Sequence, residues 1–160
     1  MKDFAKELGC LGFTMRMKRL SDAMMQDGKR MYKEMGLDIE PNWYVIFRLL
    51  KCEAELTVME IVERVGLTHP SVITMTNKMM AAGYLSSRQC NLDSRKRHLT
   101  LTEKAIKKLP EFEKIWDAGE RGVIKVLEGT QIIKDLETLE SLYREKGFQE
   151  RTLEELNSKP

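Results

Sequence analysis

Apolar side chains return at Phe13, Met17, Leu20, Met24, Met31 and Met35, with Gly28 filling the intervening turn. Spacings of three and four predict a long helix that stops at Gly36, a natural C′ residue. The stripe is rich in methionine, a deformable side chain, and reads first as an ordinary core face and second as a face for a partner helix. Pro41 suits the first position of a second helix, whose Trp43, Ile46, Phe47, Leu49 and Leu50 supply a buried side and which should end near Lys51. Leu56 then opens a new unit in which Thr57 and Glu60 have capping-box spacing, predicting a short helix over 58–65. Gly66 breaks it, and Thr68 is placed to cap a further helix with Pro70 in its first turn.

Projected at 100° per residue, the helix expected over 69–82 puts Val72, Met75, Thr76 and Met79 on one side. Pro70, Ser71, Thr74, Asn77, Lys78 and Ala81 fall on the other. Gly83 closes the helix, and Tyr84 to Gln89 with Lys96 to Leu101 read as two strands around Asn91-Leu92-Asp93-Ser94. Thr102 should cap a helix carrying Ile106, Leu109, Phe112, Trp116, Val123 and Val126, bent at Pro110. Gly129 interrupts the pattern. Ile132, Ile133, Leu136, Leu139, Leu142 and Tyr143 mark a last long helix ending at Gly147, and residues 148–160 are expected to add a loose helical turn or two. The order helix, tight turn, helix, hairpin predicts a mostly α chain with a small β-hairpin wing, a winged helix-turn-helix. One domain over 1–147 is expected, with the winged lobe at 41–102, long flanking helices at 1–36 and 103–147, and a tail at 148–160.

Charge sharpens the picture. The chain of 160 residues has a net charge of only +2, yet residues 64–102 hold six bases against the single acid Asp93. Residues 128–160 hold five bases against eight acids, so a polyanion is drawn to the middle of the chain and repelled by its end. An α-helix fits the major groove of B-DNA, and a hairpin with a basic tip can reach the neighbouring minor groove or backbone. The candidate contacts are therefore His69, Pro70, Ser71, Thr74, Asn77 and Lys78 on the helix and Arg88, Arg95, Lys96 and Arg97 on the hairpin. The plainer alternative is a solvated helix face and a basic surface hairpin.

Other chemistry finds little footing. Cys10, Cys52 and Cys90 are scattered and odd in number, which points to a reducing cytoplasm rather than a disulfide framework. His69 and His98 have no partner at metal or catalytic spacing, so no metal, no cofactor and no enzyme activity are expected. No apolar run of about 18 residues is present to span a membrane.

Leu56-Thr57, the run from Ile61 to Val72 (Ile61-Val62-Glu63-Arg64-Val65-Gly66-Leu67-Thr68-His69-Pro70-Ser71-Val72) and Asp93-Ser94-Arg95-Lys96-Arg97 followed by Leu101-Thr102-Glu103-Lys104 resemble the MarR (multiple antibiotic resistance regulator) family over about residues 10–147. That resemblance implies a homodimer interlocked through its terminal helices, reading a pseudo-palindromic double-stranded operator. It places the 69–82 helix in the major groove and Arg95 in the minor groove, with Asp93 steadying the basic side chains of the wing. The block from Gly12 to Glu40, with Arg19-Leu20-Ser21-Asp22 and Met25-Gln26-Asp27-Gly28, is similar to the regulatory half of proteins in which a MarR domain precedes an acetyltransferase. The chain ends at Pro160 without room for that fold, so acetyl transfer is not expected.

The resemblance also implies a hinge near Met31 to Trp43, where a small aromatic or lipophilic effector could act. Met17, Met24, Trp43, Tyr44 and Phe47 are the candidate crevice, with packed core as the competing reading. Two other functions stay open: a thiol-based redox sensor and a winged-helix protein-interaction module. Some MarR relatives sense peroxide through a cysteine in the first helix, but that position falls near Met15, about a turn from Cys10.

Overall fold

A computed structural model gives the fold, describing residues 2–89 and 97–158. The elements run α1 (Phe4–Glu7), a 3-10 turn (Gly9–Gly12), α2 (Phe13–Glu34), a 3-10 turn (Pro41–Trp43), α3 (Tyr44–Glu53), β1 (Glu55–Thr57), α4 (Val58–Val65), α5 (His69–Ala81), β2 (Leu85–Gln89), β3 (Arg97–Leu101), α6 (Glu103–Leu127), α7 (Ile132–Glu145) and α8 (Phe148–Asn157). Two compact units are present, Met1–Glu113 and Lys114–Pro160. The first unit extends past residue 102 because the opening turns of α6 bury Ala105, Leu109 and Phe112.

Local signals placed most elements. At α4 the capping box forms in full: the Glu60 amide donates to Thr57 Oγ1 at 3.3 Å, and the Thr57 amide donates to Glu60 Oε2 at 2.7 Å. Gly66 ends the helix at φ +70°, a left-handed turn that an L side chain rarely adopts. Thr102 caps α6 as expected, accepting from the Ala105 amide at 3.2 Å. Thr68 sits at the N-cap of α5 in extended conformation, but its hydroxyl pairs with Ser71 Oγ at 2.8 Å instead of taking a backbone N–H.

The sheet is three-stranded and antiparallel in the order β1-β3-β2, so the expected hairpin gains a strand. Leu56 lies opposite Leu99, and Leu85 opposite Leu101. These leucines form one face, and Glu55, Thr57, Ser86, Arg88, His98 and Thr100 form the other, as the period of two requires. Beneath the apolar face, Ile46, Phe47 and Leu50 of α3, Ile61 of α4, Val72 and Met79 of α5 and Phe112 of α6 are almost fully buried. Phe47 sits 5.4 Å from Tyr84 and 5.5 Å from Phe112, and Tyr84 sits 5.8 Å from Phe112, all edge to face.

Several expectations need correction. The stripe on α2 is not a core face of this chain: Phe13, Leu20, Met24, Met31 and Met35 are exposed, and the one buried side chain of α2 is Tyr32. Periodicity reports that a face is apolar, not what covers it. Pro41 opens a 3-10 turn rather than the α-helix itself, and α3 runs on to Glu53. Residues 148–157 form a ten-residue helix rather than a loose turn, and Gly147 serves as its N-cap. α1 and the 3-10 turn after it were not foreseen; a fork from Arg19 to the two oxygens of Asp3, at 3.1 and 2.8 Å, ties them to α2.

Two backbone positions yield opposite predictions. Ala54 holds φ +55° between α3 and β1, a conformation that costs a non-glycine residue about 1–3 kcal/mol. Ala54→Gly should raise stability by about 1 kcal/mol after the entropy of glycine is subtracted. Gly28 lies in mid-helix, where alanine normally gains about 1 kcal/mol. Here a Cβ would meet Pro41 Cγ at 2.9 Å and Cβ at 3.0 Å, against a stiff ring. Gly28→Ala should therefore lower the melting temperature while Ala54→Gly raises it, a pair of signs that thermal unfolding reads directly.

Candidate nucleic-acid interface

α5 has one inward and one outward side. Val72, Met75, Thr76 and Met79 are its buried residues. Thr76 tolerates this position because its hydroxyl donates back to the carbonyls of Val72 at 2.9 Å and Ile73 at 3.1 Å. His69, Pro70, Ser71, Thr74, Asn77, Lys78 and Ala81 are all exposed. The sequence projection and the structure agree residue for residue on both faces.

That outer face is hydroxyl, amide and one ammonium, with no acid. Thr74 Oγ1 donates to the Pro70 carbonyl at 2.9 Å, so its proton is engaged while its lone pairs and methyl remain outward. Such a threonine can accept from a base amine or pack on a thymine methyl. The Ser71 and Thr68 hydroxyls share one hydrogen bond, and the backbone N–H groups of the first turn have no side-chain cap. Uncapped N–H groups at a helix start favour an anion such as a phosphate.

Asp93, Arg95 and Lys96, with Cys90, lie outside the described residues. Arg97 starts β3 and is exposed. Arg88 is exposed on the polar face of β2, but its guanidinium reaches Glu55 on β1 at 3.2 Å. A nucleic-acid contact by Arg88 would have to share that side chain with Glu55, a pairing that a count of bases within 64–102 does not capture. His98 faces Arg88 across the ladder; its Nδ1 is buried without a hydrogen-bond partner, 3.9 Å from Glu55 Oε1.

A polar clasp fixes the base of the wing. The Tyr84 hydroxyl donates to Asp38 in the linker after α2, and Lys104 at the start of α6 donates to Asp38 Oδ2 at 3.0 Å and to the Ala82 carbonyl at 2.7 Å. The same ammonium lies 4.0 Å from the centre of the Tyr84 ring. Burial pushes the Asp38 carboxyl up, but the hydrogen bonds from Tyr84 and Lys104 and the lysine charge outweigh it and hold the carboxyl below its usual range. Burial, then the Asp38 contact, pushes the Tyr84 phenol well above its usual value. Asp38 stands in no sequence pattern that could have flagged it, and the Leu101-Thr102-Glu103-Lys104 stretch carries no hint that its lysine pairs with Asp38.

The five crevice candidates do not converge. Trp43 and Phe47 belong to the core, at 4% and 0% exposure, and their rings pack around Tyr84. Met24 and Tyr44 are exposed, and Met17 borders a shallow cleft with Phe13, Arg16 and Leu20 on α2. A different cleft, of about 420 Å³, opens where Met25 and Lys29 of α2, Glu40 of the linker and Asn42 of the second 3-10 turn face α5. Cys10 is exposed in the 3-10 turn that precedes α2. Among the described residues no three potential metal ligands come together, and no helix is long and apolar enough to cross a membrane.

No protein-family model matches the sequence, and no curated protein matches it. Solved structures do match. A MepR–DNA complex from S. aureus superposes with a TM-score of 0.66 at 18% identity, over 83% of this chain and 96% of that one. The organohalide-sensing transcriptional regulator RdhR, in its 2,4-dichlorophenol-bound form, gives 0.68 at 16% identity over 84% and 79%. A MarR variant from E. coli complexed with operator DNA gives 0.61 at 16% identity over 90% and 98%. The chain therefore has the winged-helix fold of these MarR-type regulators.

The clasp makes a pH prediction. A carboxyl depressed in the folded state adds stability above its unfolded pKa, near 4, and loses it as pH falls through the folded value. Asp38→Asn keeps an acceptor for Tyr84 and removes the charge. Its cost should be present at pH 7, below about 1 kcal/mol because the carboxylate is largely exposed, and should be smaller at pH 3, below the ordinary carboxylate range. Urea unfolding of both proteins at the two pH values checks this; an equal cost at both would remove the charge from the account.

Proposed function

We propose that the protein is a homodimeric, sequence-specific DNA-binding transcriptional regulator of the MarR type, acting in the cytoplasm and responsive to a small effector. The observation that carries this reading is the division of α5 into a buried apolar side and an acid-free outer side of Ser71, Thr74, Asn77 and Lys78. It stands on a fold whose solved counterparts include two DNA complexes and a chlorophenol-bound form. In this reading α5 enters the major groove, the first-turn N–H groups, His69 and Pro70 lie against the phosphate backbone, and Thr74, Asn77 and Lys78 reach base edges. Arg95, Lys96 and Arg97 of the wing, steadied by Asp93, follow the minor groove and backbone, and Arg88 joins them where Glu55 releases it.

Dimerisation accounts for the apolar stripe of α2, exposed at Phe13, Leu20, Met24, Met31 and Met35, and for exposed Ile133, Leu142 and Tyr143 on α7. Two-fold symmetry matches a pseudo-palindromic operator with half-sites roughly one DNA turn apart. The working chemistry is binding: no step of this function makes or breaks a covalent bond.

Selection of bound fragments from randomised DNA should return an inverted repeat, and light scattering at micromolar concentration should give the dimer mass. Arg95→Ala should weaken binding to every sequence, whereas Thr74→Ala and Lys78→Ala should also change which sequence is preferred, each lost base contact costing about 1–3 kcal/mol. Added salt should lower affinity steeply through counterion release. A monomer mass, or unaltered binding by Arg95→Ala at moderate salt, would count against the assignment.

A further inference from the structure

The polar face of the sheet holds one unsatisfied group. His98, on the central strand β3, carries an Nδ1 atom that is buried and has no hydrogen-bond partner. Glu55 Oε1 on β1 lies 3.9 Å from it, too far for a hydrogen bond, while Glu55 Oε2 accepts from the Arg88 guanidinium of β2 at 3.2 Å. Because β3 lies between β1 and β2, Arg88 reaches across β3 to make that pair. Arg88 and His98 are direct cross-strand partners on one face of the ladder. Glu55 and Arg88 are thus the charged side chains that face the imidazole among the described residues, and Thr57, opposite it on β1, is neutral. On the helices nearby, Glu60 Oε2 of α4 accepts from the Thr57 amide and hydroxyl at 2.7 Å each, Arg64 of α4 pairs with Glu53, and Lys51 of α3 pairs with Glu113.

We propose that Glu55 is a positioning residue that holds Arg88 against the sheet, and that protonation of His98 releases Arg88 to DNA. Histidine ordinarily changes charge between about pH 5 and 8. A neutral imidazole leaves the carboxylate to Arg88. A protonated one has an Nδ1–H to donate, and Glu55 Oε1 is placed to accept it after a small side-chain shift. The same proton sets two like charges directly opposite each other on β2 and β3, which disfavours Arg88 in its place over His98. Both effects loosen Arg88, so DNA affinity rises as pH falls. The consequence for DNA rests on the regulator reading, in which the freed guanidinium joins the contacts of the wing. An exposed ion pair is weak, so the gain is about fivefold at most.

The test uses the full-length protein and the inverted repeat returned by selection, at constant ionic strength. His69 is the other histidine of the chain, and Gln replaces it in every sample so that one imidazole titrates. Operator Kd should fall about fivefold from pH 8 to pH 5.5, and in His98→Gln it should stay at its pH 8 value. Glu55→Gln should bind at pH 8 about as tightly as its parent at pH 5.5, without a pH response. Removing an acid or adding a proton near DNA strengthens binding by charge alone, and Arg88→Gln separates the two causes. In that background both the pH response and the gain from Glu55→Gln should be lost. Freeing Arg88 should also steepen the salt dependence by about one counterion. Without DNA, the Arg88 Nε–Hε resonance of nitrogen-15-labelled protein should move with the His98 ring through one shared midpoint and stand still in His98→Gln.

A Kd that is flat between the two pH values, a pH response that survives Arg88→Gln or His98→Gln at full size, or an Arg88 resonance indifferent to His98 would each overturn the proposal and leave specific DNA binding in place. The resonance measurement requires no DNA. A protein in which Arg88 followed His98 but which bound no DNA would keep the exchange on Glu55 and lose the regulator reading.

Discussion

The edge-to-face contact of Phe47, Tyr84 and Phe112 is the constraint on which the winged unit depends. Each ring comes from a different part of the chain: α3, the entry to β2 and the opening turns of α6. Burying a tyrosine in such a cluster demands a partner for its hydroxyl, since an unsatisfied polar group there costs about 1–3 kcal/mol. Asp38 supplies the acceptor, and Lys104 supplies the charge that keeps Asp38 ionised and engaged. Packing thus recruits a polar clasp, and the clasp ties the linker after α2 to the base of the wing.

The same arrangement explains why α5 can be specialised on one side. Its inner face is fixed by Val72, Met75, Thr76 and Met79, and its end is tied to the sheet through the backbone bond from the Tyr84 amide to the Met79 carbonyl at 2.9 Å. None of these contacts uses Ser71, Asn77 or Lys78. The composition of the outer face is therefore not fixed by what holds the helix, a condition that the proposed recognition helix has to meet.

How much of this was legible in the sequence depended on whether a feature is local. The capping box at Thr57 and Glu60, the left-handed stop at Gly66 and the two faces of α5 follow from spacing within one or two turns, and all were read correctly. β1 was missed because three residues are too few for alternation to be visible, and its pairing with β3 links positions over 40 residues apart. The α2 stripe was legible as apolar but not as exposed. The cleft beside α5 draws Met25, Asn42 and Lys78 from three segments, and no pattern within any one of them marks it. Trp43 and Phe47 share an apolar character and a place near the hinge with Met24, yet the first two pack into the core and Met24 lies outside.

Charge bookkeeping along the chain and charge in space also diverge, and the divergence bears on how such a protein would hold DNA. The segment 64–102 counts six bases against one acid, but Glu53 lies 2.6 Å from Arg64 and Glu55 lies 3.2 Å from Arg88, both acids sitting just outside the window. Two of the six bases are therefore paired within the fold. Of the other described bases in that window, Lys78 on α5 and Arg97 at the start of β3 are exposed. On the proposed reading the outer face of α5 brings one ammonium to DNA, and so releases few counterions itself. Specific recognition would then draw on the small hydroxyl and amide groups of α5 and on the doubling of contacts that a two-fold partner would provide. The exposed methionine stripe of α2 and the sparsely charged outer face of α5 would in this sense be two sides of one arrangement.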